Sequence, residues 1–511
     1  MSAAAAPRAA STAGWTASPG RVLGLLALWL LATAWIRPLL LPDEGRYAEV
    51  AREMLAGDGM VPLLHGLPFF HKPPLTYWVD MAGMALLGVW PFTARLGPML
   101  GAWLMGAALW LALRRLQGPR AAGAALLVLA TSPFWFIGGQ YANHDMLVAG
   151  TITVAVLCLA RALESGAPER RWLLAGWAAC ALAVLSKGLI GVVLPALVIG
   201  PWLLAQGRWR DLLRLLHPTG LAVFAAVALP WMLLMEHRFP GFFDYFVVDQ
   251  HFRRYATTGF NNAQPWWFLL GVLPLLTLPW SLTLPAALRR VWRDVRPGAG
   301  DPGLRRWASL MAWWALVVLL FFSLPQSKLV GYIMPALAPW CALLAAPLAG
   351  SRWFRPIAAA AALFSVGVVL ALAWVAPKSN ADIGRALREG LRPGDQVVMV
   401  EDTFHDVAFV ARLAAPPLVA SNWADPDIPK RDNWRKELAD TARFDPAAAA
   451  ARLVPVAELP ALVCQGRRVW FVAHEAEAAA LMAPVPGAIK VLQGRRAQLW
   501  RADPRPCAGG G

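Results

Sequence analysis

The chain has 511 residues, of which 58% are hydrophobic and only 15% charged, with 27 Trp and 42 Pro. Such a composition excludes an ordinary soluble domain. The net charge of +16 does not point to nucleic acid, because the basic residues fall in small clusters between apolar runs, where the positive-inside rule places them.

Apolar blocks recur from residue 22 to about 375, each near the roughly 20 residues that a helix needs to cross the hydrocarbon core. They are Leu/Ala-rich without period-two alternation, so helices rather than a closed barrel are expected. With residues 1–21 as a cytoplasmic tail carrying Arg8 and Arg21, residues 22–41 read as an uncleaved signal anchor, and residues 42–92 as an outer loop with an interfacial helix at 75–90. Spans follow at 93–113, 121–139, 146–161, 172–186, 189–206 and 217–235. A second outer loop, 236–264, precedes spans at 266–287, 307–323, 330–349 and 356–375. The intervening Arg-rich loops, such as Arg114–Arg120 and Arg289–Arg306, stay on the inner side. Residues 376–511 change to mixed patterning, with strand-like runs at 396–400, 468–473 and 487–492. They read as a soluble α/β domain outside the membrane. Of the five cysteines, Cys158, Cys180 and Cys341 lie in apolar runs. Cys464 and Cys507 are left as a pair that an oxidising compartment permits but does not require.

The topology rests on the basic loops alone, yet it gathers the unusual ionisable motifs on the opposite face. The first outer loop opens with Asp43-Glu44-Gly45-Arg46-Tyr47, adjacent acids that suit a general base or a metal ligand, or else a helix cap with solvated charges. Next, His71-Lys72 stand on a stiff diproline, where the ammonium suits a lipid phosphate or simply touches headgroups. Asn143-His144-Asp145 place an acid at the mouth of a span, which implies a partner or a cap. Lys187 lies at the tip of the 172–206 hairpin, Asp249–Tyr255 add His251, Arg253 and Arg254, and Ser327-Lys328 arrive with Tyr332. His71 and His251 could share a divalent ion such as zinc, although no strong ligand spacing is present. Acids, imidazoles and cations facing one compartment fit transfer from a lipid-phosphate leaving group. The carboxylate would deprotonate an acceptor and the cations would stabilise the departing phosphate.

The ordered motifs DEGRYAEVAREML, FFHKPPLTYW, NHDM, SKGLIGVVLP, DQHFRRY and SKLVGYIMPAL resemble the class C glycosyltransferases of the protein-mannosyltransferase superfamily, in particular the bacterial aminoarabinose transferases that modify lipid A. The resemblance covers residues 22–350 and implies an all-α polytopic membrane domain of about eleven to thirteen helices, followed by the α/β domain. It further implies inverting transfer of a sugar, such as 4-amino-4-deoxy-L-arabinose, from an undecaprenyl-phosphate carrier to lipid A or another envelope acceptor. The enzyme would be a monomer in the inner membrane with its site and C-terminal domain in the periplasm. On the family pattern Asp43 and Asp145 are the functional carboxylates. Lys72, Arg254, Lys328 and Tyr332 contact donor phosphate, and His71 and His251 hold a divalent ion. Glu44, Arg46, Tyr47, His144, Lys187 and Arg253 are further candidates. The chain departs from the pattern at His71, where the family carries Glu, which preserves a ligand but removes a charge. Transfer to a protein or polysaccharide by the same chemistry is the alternative. A lipid-linked sugar transporter, which would need ionisable groups along a midplane path, is the reading from another class.

Overall fold

The structure is a computed structural model and describes residues 18–164, 168–253, 262–296, 301–348, 350–376 and 378–506, with the side chains of residues 251 and 252 left out of the description. A helical part is followed by a six-stranded sheet domain.

Helix α1 (Pro19–Leu31) is shorter than the expected span over 22–41. The chain turns from Ala32 onward because Arg37 is drawn into a buried charge cluster that a straight helix would carry away from its partners. Helix α2 (Asp43–Ala56) then lies in the first loop, a short antiparallel pair, β1 (Leu63–Leu64) and β2 (Leu67–Pro68), comes next, and α3 (Leu75–Leu87) follows the diproline that fixes its start. The two spans expected at 93–113 and 121–139 form one helical run, α4 (Leu96–Ala130), broken at Gly118, whose φ of 84° precedes Pro119. Glycine adopts that left-handed backbone without a Cβ penalty, and the proline can open a new helical turn, so the run reverses there. Trp29 on α1 donates to the Ala130 carbonyl (2.8 Å) and Trp103 donates to that of Leu23 (3.1 Å), which fixes α1 against both arms of α4.

After α5 (Pro133–Gly138), α6 (Asp145–Ala162) packs on α4 through bare backbone. A Cβ at Gly150 would come 2.7 Å from the Gly101 carbonyl carbon, so each glycine is what lets the helices approach. Helices α7 (Arg170–Lys187), α8 (Ile190–Ala205), α9 (Trp209–Leu215) and α10 (Pro218–Arg238) complete the first half. The span expected at 266–287 is instead a bent pair, Phe268–Leu276 and Trp280–Val295, at 107° to one another, with Pro274 and Pro279 at the break. Pro302–Ser323, Val330–Leu348 and Phe354–Val375 follow. Among the described residues six helices are long and apolar enough to cross a membrane, or seven if the bent pair is one span. The broken α4 run counts once among them, and α1 and α8 fall short in length.

In the sheet domain the strands run in the order β5 (Leu453–Pro455), β4 (Leu418–Ser421), β3 (Gln396–Val400), β6 (Val469–His474), β8 (Ala497–Ala502), β7 (Ile489–Gln493). The first four are parallel, while β8 and β7 are antiparallel. Parallel strands are covered on both faces, which is why β3 and β6 read as near-continuous apolar runs rather than alternating ones. Three strands, β4, β5 and β8, escaped the sequence reading. Cys464 is disulfide-bonded, and Cys507, the cysteine that the sequence left free to pair with it, lies outside the described residues.

The sheet domain sits on α2. Arg52 donates to the Leu413 carbonyl (2.8 Å), the imidazoles of His65 and His405 meet at 3.0 Å, and a Cβ on Gly45 would come 2.8 Å from the Asp406 nitrogen. Beneath this seam Glu53 takes the backbone N–H groups of His65 and Gly66, each at 2.9 Å. Burial, with Glu49 nearby, pushes its carboxyl up to about 8.

Candidate active site

Three stretches converge on a cavity of about 520 Å³ at the end of the helical part that carries the sheet domain. The first is the opening turn of α2. Successive residues on a helix point about 100° apart, so the neighbours Asp43 and Glu44 face different surroundings. Glu44 is fully buried. It binds Arg37 in a fork (Arg37 Nη2 to Oε1, 3.0 Å), receives Arg95 Nε at 3.0 Å, and accepts from the Leu40 and Ala142 nitrogens. Burial alone would raise its pKa; Arg37 and then Arg95 outweigh that and hold it at about 2. All its lone pairs are spent on architecture. Asp43 instead lines the cavity, one-third exposed, with Oδ1 accepting from Arg46 (2.7 Å). The other guanidinium nitrogen of Arg46 is chelated by both oxygens of Glu437 (2.5 and 2.7 Å), on the helix Trp434–Ala442 of the sheet domain.

The second stretch is the diproline turn. His71 stacks on Phe69 with 4.6 Å between ring centres, and its Nδ1 is 3.9 Å from Glu437. The Lys72 ammonium donates to the His71 carbonyl (2.9 Å) and lines the cavity.

The third is the start of α6. Asp145 forms an ion pair with Lys187, and its Oδ2 accepts from the Asn143 amide at 3.1 Å. The Lys187 ammonium also lies 4.6 Å from the centre of the Tyr332 ring. His144 stands edge-on between Tyr47 (4.6 Å) and Tyr77 (4.8 Å). It is buried, with no hydrogen-bond partner on either ring nitrogen. Burial first, then Lys72, Lys187 and Arg46, push its pKa well below the usual imidazole range, so it is a neutral ring at the cavity wall. The remaining wall is apolar, from Leu189, Ile190, Val193, Phe321, Phe322 and Leu329.

A Cβ placed on Gly331 would lie 2.6 Å from Asp145 Cγ. Gly331→Ala is therefore expected to swing the carboxylate off Lys187 and to lower activity about 10- to 100-fold, as misplacement of a site group by about 1 Å does. Unchanged activity in the alanine variant, together with unchanged thermal stability, would show that the Asp145–Lys187 pairing is dispensable.

The structure thus brings Asp43, Arg46, Tyr47, His71, Lys72, His144, Asp145, Lys187 and Tyr332 to one cavity. Lys328 lies outside the lining: its buried ammonium donates to the carbonyls of Gln264 (2.8 Å) and Pro325 (2.5 Å), while its neighbour Ser327 faces the cavity. Arg253 is exposed at the end of the π-helical segment Asp244–Arg253, bonded to Asp249 at 2.5 Å, and Gln250 of that segment lines the cavity. Arg254 lies outside the described residues, and the His251 side chain is not among those described. Glu437, Gln250 and Gly331 were missed. The motif strings contained Gln250 and Gly331, but nothing local to Glu437 marks it.

For a divalent ion, the described donors on this side are His71 and Glu437, and Glu437 is already chelated by Arg46. Among the described residues no three His, Cys, Asp or Glu side chains converge. This arrangement does not by itself make a metal site, and no step is routed through a metal.

Residues 71–233 match the family described as dolichyl-phosphate-mannose-protein mannosyltransferase. The chain is 37% identical over 316 residues to the undecaprenyl phosphate-alpha-4-amino-4-deoxy-L-arabinose arabinosyl transferase of Pseudomonas aeruginosa, covering 60% of this chain and 55% of that protein. It is 34% identical to the enzyme of that name from Edwardsiella ictaluri, with 63% and 57% covered. The chain thus spans less than three-fifths of the length of these two relatives. In structure it is similar to ArnT from Cupriavidus metallidurans bound to undecaprenyl phosphate, with a TM-score of 0.80, 24% identity, and coverage of 96% of this chain and 98% of that one. Residues 71–233 are thus similar in sequence to that family, and the fold is shared along nearly the whole chain with ArnT from Cupriavidus metallidurans, so this is a multi-pass membrane protein with an ArnT-like fold.

Proposed function

We propose that the protein is an inverting glycosyltransferase of the bacterial inner membrane. It would move 4-amino-4-deoxy-L-arabinose from undecaprenyl phosphate to lipid A or another envelope acceptor on the periplasmic face. The observation that carries this reading is the cavity itself, which a carboxylate, Asp43, and an ammonium, Lys72, line together with the apolar side chains of Leu189, Ile190, Val193, Phe321 and Phe322. That combination suits an amphiphile with an anionic head. The relatives named above act, by their names, on an undecaprenyl-phosphate aminoarabinose, which supports the same donor here.

In the proposed step an acceptor hydroxyl oxygen attacks the anomeric carbon on the face opposite the phosphate. The carbon–oxygen bond to phosphate breaks, its electron pair stays on undecaprenyl phosphate, and the acceptor proton passes to Asp43. Arg46, clamped by Glu437, orients Asp43 through the 2.7 Å bond to Oδ1. Lys72 and the Lys187–Tyr332 pair stabilise the charge gained by the leaving phosphate. The neutral His144 offers a donor and an acceptor to sugar hydroxyls.

Purified protein given this donor and lipid A is expected to yield lipid A heavier by one aminopentose residue by mass spectrometry. No product with lipid A, but product with a polysaccharide or protein acceptor, would refute the acceptor; no transfer to any of them would refute the function. The divalent ion is part of the proposal as a measurement. Metal bound to the purified protein is expected to be lost in the double variant His71→Ala, His251→Ala, and unchanged metal content would remove it.

A further inference from the structure

A second cavity, of about 510 Å³, opens where the ends of α1 and of the helix Phe354–Val375 meet the sheet domain's helix Ala381–Gly390. It shares no lining residue with the candidate active site. Arg37 of the buried Arg37–Glu44–Arg95 cluster lines it, while Asp43, next to Glu44 in the chain, lines the other cavity.

Its charge is lopsided. Arg385, Arg388, Arg412 and Arg495 line it, Asp382 is the one acid among the lining residues, and Arg37 is already matched by Glu44. Asp382 is occupied by backbone, accepting from the Ile383 and Arg495 nitrogens at 2.9 and 3.0 Å. Arg385 and Arg388, nearly one turn apart, form no ion pair among the described residues, although each is exposed and long enough to reach one. Burial first, and then the neighbouring Arg388, hold the Arg412 guanidinium below its usual range, so these two cations lie close enough to interact. Two of the cations are held in place by their own contacts. Arg412 donates to the Val89 carbonyl (2.7 Å) and lies 4.7 Å from the centre of the Trp90 ring, from a left-handed backbone (φ 53°) that a non-glycine residue seldom adopts. Arg495 donates to the Val375 carbonyl at 3.1 Å, the last residue of its helix.

The remaining wall is apolar and aromatic. Trp35 and Trp90 line it, 68% and 53% exposed, and Trp374 beside it is 87% exposed. Tryptophans at the ends of spanning helices sit at headgroup level. Guanidinium groups bind phosphate bidentately, and basic pockets beside membrane helices hold anionic headgroups.

We propose that this cavity is a second lipid site, holding the phosphate of an anionic lipid on Arg385, Arg388, Arg412 and Arg495 with the acyl region along Trp35 and Trp90. The chemistry is shared by a bilayer phospholipid and by a phosphorylated glycolipid, and it does not require the transfer reaction proposed above.

The test uses the full chain in phosphatidylcholine nanodiscs doped with phosphatidylglycerol, with retained lipid counted by native mass spectrometry. Wild type is expected to retain phosphatidylglycerol over phosphatidylcholine. The exposed-surface variant Arg385→Gln, Arg388→Gln, Arg495→Gln is expected to lose at least about tenfold of that retention, while Lys430→Gln, exposed on the sheet domain and lining neither cavity, retains it as wild type does. Competition identifies the source. Displacement of phosphatidylglycerol by a phosphorylated glycolipid but not by its dephosphorylated form assigns the site to the glycolipid, and no displacement assigns it to bilayer phospholipid. Equal retention by the triple variant and wild type, equal retention of phosphatidylcholine, or displacement by soluble glycerol phosphate at the same concentration would each overturn the proposal. Because the readout is lipid bound rather than sugar moved, failure of the transfer assay leaves this result standing.

Discussion

Asp43→Asn is expected to lower sugar transfer about 10²- to 10⁴-fold, the usual worth of a positioned general base, with little change in thermal stability. The amide keeps the shape of the carboxylate and can still accept from Arg46, so the opening turn of α2 stays in place. What it loses is the capacity to take a proton. Arg46, itself clamped by Glu437, holds Asp43 through Oδ1, so the group is oriented before substrate arrives; of the other described carboxylates in the lining, Asp145 is paired with Lys187 and Glu437 spends both oxygens on Arg46. Transfer assays on membranes carrying equal amounts of wild type and variant measure the effect. A well-folded Asn variant working at the wild-type rate would remove Asp43 from the mechanism.

One residue further along, the same conservative change is expected to act on the fold instead. Glu44→Gln leaves Arg37 and Arg95 buried with no carboxylate between them, and breaking a buried ion pair by removing one partner costs about 3–5 kcal/mol. The variant should unfold at a markedly lower temperature in detergent, with the protein that remains folded keeping its activity. The pH dependence has a definite sign. A carboxyl held at about 2 when folded, against 4.5 when unfolded, contributes its full stabilisation above about pH 4.5 and loses it as the pH falls toward 2. Acid unfolding of the wild type should therefore be steep across that window and shallower in the Gln variant. Equal melting temperatures for the two proteins would mean that the cluster is not what holds α1, α2 and α4 together at this end.

Much of the architecture is present in the amino-acid sequence because it depends on local composition. Apolar blocks mark the helices, basic clusters mark the turns between them, and the valine-rich runs at 396–400 and 468–473 mark buried parallel strands. The ordered motifs marked the right stretches for the same reason, since each carries its acids, imidazoles or amines within a few residues of one another. The tertiary structure alone decided what each side chain does there. Asp43 and Glu44 are adjacent and chemically alike, yet one faces a cavity and the other a pair of arginines, because helical rotation sends them in different directions and the partners come from elsewhere in the chain. Lys328 looks like a phosphate ligand in its motif but is turned under its own loop by two carbonyls. Glu437 completes the Arg46 clamp from 391 residues away, beyond the reach of any local pattern. Periodicity and charge along a chain determine which segments enter the membrane and which face meets water. The direction of a side chain and the identity of its distant partner are settled only when the segments pack.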